Sequence, residues 1–195
     1  MDRSLDIQRL EYSQRRMTAM PLAGMIAWAM VAVAGSLLDT FVAAMALFAA
    51  TGSIVYLGLA LSKLTGENLT DKARPKNAFD ALFMHTVAMS LSVYAIAIPF
   101  FMAEPTSLPL TVGILTGLMW LPLSWVIRHP VGLWHAGVRT LGVLAAWLAF
   151  PEHRFVAVPL VIVAVYAVTL LVLERRWQRL QHSAQASAAG AALQA

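Results

Sequence analysis

Between Arg16 and Lys63 the only charged residue is Asp39. A helix needs about 20 apolar residues to cross a hydrocarbon core, so this stretch holds two spans. We expect them at Met17–Leu38 and Phe41–Ser62, with Asp39-Thr40 as a tight turn whose polar pair can cap the second helix. The same alternation of apolar run and charged island continues down the chain. Lys63–Asp80, with Gly66, Asn68, Pro75 and Asn77, reads as an aqueous loop, and Ala81–Ala103 as the third span. Glu104-Pro105-Thr106-Ser107 is a turn. Pro109–Ile127 is the fourth span, ended by Arg128-His129-Pro130 because proline disfavours helix at the residue before it. Val131–Phe150 is counted as the fifth span although His135 and Arg139 lie inside it, and Val156–Leu173 is the sixth, closed by Glu174-Arg175-Arg176.

The predicted fold class is therefore all-α, a polytopic membrane protein built as a six-transmembrane-helix bundle over residues 17–176. Residues 1–16 form an amphipathic segment in which Ser4 can cap a short helix and Glu11 and Arg15, four apart, can pair. Residues 177–195, rich in Ala, Ser and Gln without an apolar stripe, are expected to be a mobile tail. Composition agrees: 59% of the 195 residues are hydrophobic and 12% charged, half the charge of an ordinary soluble domain. That argues against a soluble enzyme. The absence of cysteine excludes a disulfide framework and thiol chemistry.

Orientation follows from the lysines and arginines, which collect on the cytoplasmic side of membrane proteins. Six spans put the N-terminus, the second and fourth loops and the C-terminus on one side. All the lysines and arginines fall there except Arg154 on the other side and Arg139 within a span. Both termini are expected in the cytoplasm. Because the positive residues are divided among four segments, the net charge of +4 needs anionic headgroups and no nucleic acid.

An ionisable group inside a bilayer costs roughly 2.5–3.5 kcal/mol on insertion scales, so each requires a partner or a purpose. Arg139 and His135 are one helical turn apart and share a face. They can form an anion or carboxylate site, or a proton-linked path with histidine as the titrating group. Alternatively the fifth helix starts late and Arg139 snorkels to the headgroups. His85 lies with Met89 and Ser92 on one strip of the third span, and Thr86, Ser90 and Tyr94 form an adjoining strip. Such hydroxyls either line a polar cavity or bond their own backbone and neighbouring helices. Thr51, Ser53 and Tyr56 of the second span admit the same two readings. Trp120 and Tyr94 are candidates for a cavity wall, Trp125 and Trp134 for interfacial anchors, and Pro99 and Pro122 should kink their helices. Gly24, Gly35, Gly52 and Gly58, with Ala27 and Ala34, read as sites of close helix packing.

Several reaction signatures are absent from the sequence: the zinc helix His-Glu-x-x-His, the Gly-x-Ser-x-Gly elbow and a phosphate-binding glycine loop. No catalytic residue, metal ligand or cofactor is assigned. Glu11-Tyr12 with Arg15-Arg16, then Pro21 and Trp28, then Ser62-Lys63-Leu64 with Gly66 and Asn77, and finally Leu121-Pro122 with Ser124-Trp125 carry a resemblance. The chain resembles a family of small, uncharacterised bacterial multi-pass membrane proteins carrying a domain of unknown function. The resemblance implies a bacterial cytoplasmic membrane and a helical bundle, and brings no activity. This chain has Asn77-Ala78 where such proteins tend to show Asn-Pro, and His85 where an amide is more usual.

The leading expectation is a protein that binds or passes a small solute or ion through a polar cavity among the third, fourth and fifth spans. Arg139 and His135 set its electrostatics, with His85, Tyr94 and Trp120 around it. Transport by so few spans implies a homo-oligomer or a partner membrane subunit. Two other classes stand beside it: an intramembrane enzyme using His85 or His135 as acid or base on a lipid or isoprenoid, and a structural or regulatory subunit whose Lys63–Asp80 loop docks a cytoplasmic partner.

Overall fold

The computed structural model describes residues 3–71 and 73–192; Lys72 of the second loop, and the last three residues of the expected tail, lie outside them. Among the described residues there are nine α-helices and no strand. They are α1 (Leu5–Ser13), α2 (Ala19–Leu37), α3 (Thr40–Leu64), α4 (Ala78–Ser92), α5 (Tyr94–Ala103), α6 (Leu108–Gly117), α7 (Trp120–Ile127), α8 (Val131–Ala149) and α9 (Arg154–Ala192). Joined across their breaks, α4–α5 and α6–α7 each make one span. Six segments are thus long and apolar enough to cross a membrane.

The helix starts follow the side chains that can satisfy free N–H groups. Ser4 accepts from Ile7 N at 3.4 Å, Asp39 Oδ1 from Phe41 N and Val42 N at 3.0 and 3.1 Å, and Asn77 from Phe79 N at 2.9 Å. The expected Glu11–Arg15 pair does not form. Because α1 ends at Ser13, Arg15 leaves the helical register; Glu11 meets Arg3 at 2.5 Å instead, and Arg15 meets Asp80 at 2.5 Å.

At both expected proline kinks the hydrogen-bond ladder breaks for one or two residues N-terminal to the proline, while the backbone stays right-handed helical (Val93 φ −54°, ψ −33°; Leu118 φ −66°, ψ −20°). A proline ring clashes with the carbonyl four residues earlier and removes that carbonyl's usual i+4 donor. For Pro122 that residue is Leu118, where α6 gives way to α7, and the Leu118 carbonyl accepts from Leu121 N at 3.1 Å instead. For Pro99 it is Ala95, next to the Val93–Tyr94 junction of α4 and α5.

In the bundle α2 lies against α3 and α9, while α8 packs on α9, α6 and α7. Trp28, Val31, Leu47, Val112, Val143 and Ile162 are buried where these helices meet. The α4–α5 span stands apart: α4 has no buried residue and α5 only Ala97. α4 is held chiefly by α1 and by its junction with α5. Beyond Gln178 the segment expected to be a mobile tail continues α9 as helix to Ala192. Its alanine content favours helix through local i→i+4 bonds that need no tertiary partner.

Candidate functional site

Trp28 is the middle residue of α2, Thr116 the middle residue of the Pro105–Ile127 segment, and Thr51 and Arg139 lie one residue from the middle of α3 and α8. Four helices therefore bring a tryptophan, two threonines and an arginine to one depth. Arg139 does not snorkel. It lies about 12 Å along α8 from Val131 at 1.5 Å per residue, and is 1% exposed. Its Nε donates to the Gly113 carbonyl at 2.7 Å, Nη1 to the Tyr166 hydroxyl at 3.2 Å and Nη2 to Thr116 Oγ1 at 2.9 Å. The rings of Trp28 and Tyr166 lie 5.5 Å from its guanidinium carbon. Among the described residues Arg139 makes no ion pair. Only neutral oxygens and aromatic faces meet its charge.

Room for this arrangement comes from two glycines. A Cβ on Gly117 would fall 2.9 Å from Arg139 Cδ, and one on Gly24 would fall 2.6 Å from the Tyr166 hydroxyl. The packing expected at Gly24 thus has a definite object. Gly52 has none: nothing lies within 4 Å of its Cβ position, and it opens onto a cavity.

That cavity, of about 240 Å³, lies between α3, α4–α5 and α6–α7 and reaches from the α1 rim to mid-span. Its walls are mostly apolar, with Ile54, Val87, Phe83 and Leu123 among them; Arg15, Arg16, Glu67 and Asp80 stand at its mouth. At the inner end are Trp28, Thr51, Tyr94, Thr116, Trp120 and Tyr166. Both helix breaks therefore open onto it. Backbone freed from a helix at this depth requires either protein cover or a cavity to face.

Of the candidate residues, Tyr94 and Trp120 line the cavity wall. The Tyr94 hydroxyl lies 2.6 Å from Thr51 Oγ1, bridging α3 and α5. Arg139 and His135 stand directly behind the wall. The His135 ring stacks on Trp120 at 4.1 Å and meets Tyr166 edge-on at 4.9 Å; its Nδ1 lies 2.8 Å from Thr169 Oγ1, and its Nε2 has no partner among the described residues. His85 is elsewhere, exposed on α4 with Nδ1 2.7 Å from the Ala81 carbonyl. The strip that faces the cavity is the adjoining one, Thr86, Ser90 and Tyr94. Thr86 and Ser90 also bond carbonyls of their own helix, so both readings of these hydroxyls hold at once. Ser53 and Tyr56 are outside the cavity, and Tyr56 is exposed.

Three contributors carried no recognisable motif. Thr116 and Tyr166 have only their mid-span depth as a signal. Glu67, in the second loop, is 7% exposed; its Oε1 accepts from Thr18 N, Thr18 Oγ1 and Ala19 N at 2.7–2.8 Å, closing the start of α2. The loop expected to dock a partner is in this way engaged with its own chain: Asn77 Nδ2 also donates to Gln8 O at 2.8 Å.

A family model matches residues 7–176, from α1 through the last bundle residues of α9. The chain belongs to DUF7010, a family of unknown function. The DUF7010 match includes every residue of the cavity wall and both helix breaks. No curated protein and no solved structure matches the chain.

At the mouth, Tyr12 of α1 packs 5.9 Å from the Phe79 ring. Burial pushes its phenol up from 10.0 to about 12, Asp80 adding to the rise and Arg15 opposing it. The neutral form is the one that packs, so its contribution is complete below about pH 10 and is lost as pH rises through 12. In a phenolate absorbance titration, the difference between wild type and Tyr12→Phe is expected to have its midpoint near 12. A midpoint near the ordinary value would show that Tyr12 is solvated and α1 is not seated on the mouth.

Proposed function

We propose that this protein is a multi-pass membrane protein that binds a small organic solute with a largely apolar body in the cavity between α3, α4–α5 and α6–α7. One observation carries the reading: both interrupted spans break at the depth of the cavity and line it there. Helices whose ladder is interrupted at mid-depth recur at ligand sites in membranes, and here the interruption is a local kink. The apolar walls favour such a solute over a hydrated ion, which would find few groups to replace its water. The enzyme alternative has less support, because His85 faces away from the cavity and the His135 ring lies behind Trp120.

The α1 rim faces the cytoplasm of a bacterial cell in this reading. Charge supports it: that rim carries the basic residues of α1, the second loop, the α7–α8 turn and the start of the α9 extension, and the opposite rim only Arg154. The chain has no cysteine, so single cysteines at Glu152 and at Gln178 can be tested with a membrane-impermeant thiol reagent on intact cells. Labelling at Glu152 alone is expected; labelling at Gln178 alone would reverse the orientation.

Binding is tested on the full chain in detergent with a brominated octanol, whose bromine quenches indole on contact. Trp28 and Trp120 both line the site, so saturable quenching is expected. The Cβ position of Gly52 is open and Gly52 lines the cavity, so Gly52→Phe is expected to extend its ring into that space. This variant should keep the wild-type Tm and weaken binding by about tenfold or more, the loss of roughly 1.4 kcal/mol of contact. Unsaturable quenching in wild type, or equal quenching in the variant, would remove the proposal.

A further inference from the structure

Resting on that reading of the cavity, the geometry points to a specific ligand class: an organic anion, a monocarboxylate with an apolar body, whose charged end is received by the Tyr166 hydroxyl with Arg139 behind it. Three observations lead there. The first is the missing counter-charge. An arginine stays protonated under all ordinary conditions. Arg139 is 1% exposed and makes no ion pair among the described residues. Its three hydrogen bonds use three of five N–H donors, leaving one hydrogen on each Nη free.

The second observation is the direction in which the charge can be felt. Two of its three acceptors, Thr116 and Tyr166, belong to the cavity wall. Gly113, the third, is closed off by Ile162 and Val143, which lie 3.2 and 3.4 Å from its Cβ position. The positive charge is therefore separated from the cavity by one layer of hydroxyls.

The third is the unfilled valence of those hydroxyls. Thr116 Oγ1 donates its hydrogen to the Val112 carbonyl at 2.6 Å, so it only accepts from Arg139. Tyr166 accepts from Arg139 and its own O–H has no acceptor among the described residues. A phenol that accepts a bond from a guanidinium is polarised and becomes a stronger donor. Tyr166 cannot turn away, being wedged between the His135 ring and Gly24. The result is a fixed donor, backed by a full positive charge, at the inner end of an apolar cavity. A carboxylate completes it; a neutral alcohol satisfies the donor without neutralising the charge, and an ammonium is repelled. The apolar walls between this point and the mouth take the body of the ligand.

The test compares octanoate, octanol and octylammonium on the full chain in detergent, each displacing the brominated octanol. Wild type alone is decisive: octanoate is expected to bind about tenfold tighter than octanol, as charge-assisted hydrogen bonds are about twice as strong as neutral ones, with octylammonium weakest. Tyr166→Phe is expected to bring octanoate and octanol to within about threefold, octanoate losing a charge-assisted bond and octanol only the weaker neutral one. Arg139→Gln, which keeps the bond to Gly113 O, should abolish the preference entirely. Equal binding of all three ligands by wild type overturns the anion assignment and leaves the cavity reading standing. An unchanged preference in Tyr166→Phe overturns the role of the phenol. Binding of none of them removes the cavity reading and this inference together.

Discussion

Glu67→Ala is expected to cost the folded protein about 2–4 kcal/mol, read as a fall in the unfolding midpoint in detergent. One carboxylate oxygen accepts three hydrogen bonds, from Thr18 N, Thr18 Oγ1 and Ala19 N, and all the groups involved are buried. Truncation leaves two backbone donors at the start of α2 without their protein acceptor, at about 1–3 kcal/mol each. It also removes a negative charge from the positive end of a helix. Glu67→Gln separates the two contributions: the amide oxygen keeps the geometry and should recover more than half of the loss. A Glu67→Ala protein within 0.5 kcal/mol of wild type, a change of the size about usual for an uninvolved surface residue, would mean the cap is not formed. Because α2 is the helix against which both α3 and α9 pack, the loss should spread through the bundle and not remain local.

Gly24→Val is expected to be at least as damaging, costing about 3 kcal/mol or preventing folding. The first added carbon would already lie 2.6 Å from the Tyr166 hydroxyl, and Tyr166 is hemmed in by His135 and Trp120. Neither partner can give without moving the group that receives Arg139. The discriminating measurement is the pair Gly24→Val with Tyr166→Leu, which removes the ring tip that the valine meets. A coupling of about 1–3 kcal/mol between the two sites is expected, since substitutions in direct contact do not add. Simple additivity would place the valine's strain somewhere other than Tyr166.

The six spans were legible because their signal is the placement of charge, and charge is costly in a membrane wherever it is not needed. Asp39, the Lys63–Asp80 loop and the Arg128-His129-Pro130 turn each mark a boundary that recurs within a few residues in the fold. Arg139 and His135 were legible for the same reason, and their shared face follows from a spacing of one turn. What receives them was not. Gly113, Thr116 and Tyr166 approach Arg139 from other helices, 23 to 27 positions away, and a threonine or tyrosine in an apolar run has many uses. Tyr94 was distinguishable from His85 only as a neighbouring strip, and which strip turns inward depends on how α4 is set against α1 and α5. Glu67 was hidden by its position in a charged loop, where a carboxylate ordinarily meets water. The helix at the alanine-rich end of α9 was not foreseen because a missing apolar stripe speaks to packing, whereas helix formation there is a backbone preference.

The three ion pairs among the described residues, Arg3–Glu11, Arg15–Asp80 and Arg16–Glu174, all gather at the rim where α1 lies. The opposite rim is tied differently: Trp147 Nε1 donates to the Thr106 carbonyl at 3.1 Å, and Arg154 lies 3.8 Å over the Trp147 ring. Exposed ion pairs weaken as electrolyte is added, while a stacked and hydrogen-bonded indole is little affected. Ionic strength is thus a handle on one end of the molecule. A concentrated salt solution would slacken the entrance to the cavity and leave the opposite rim of the bundle as tightly shut as before.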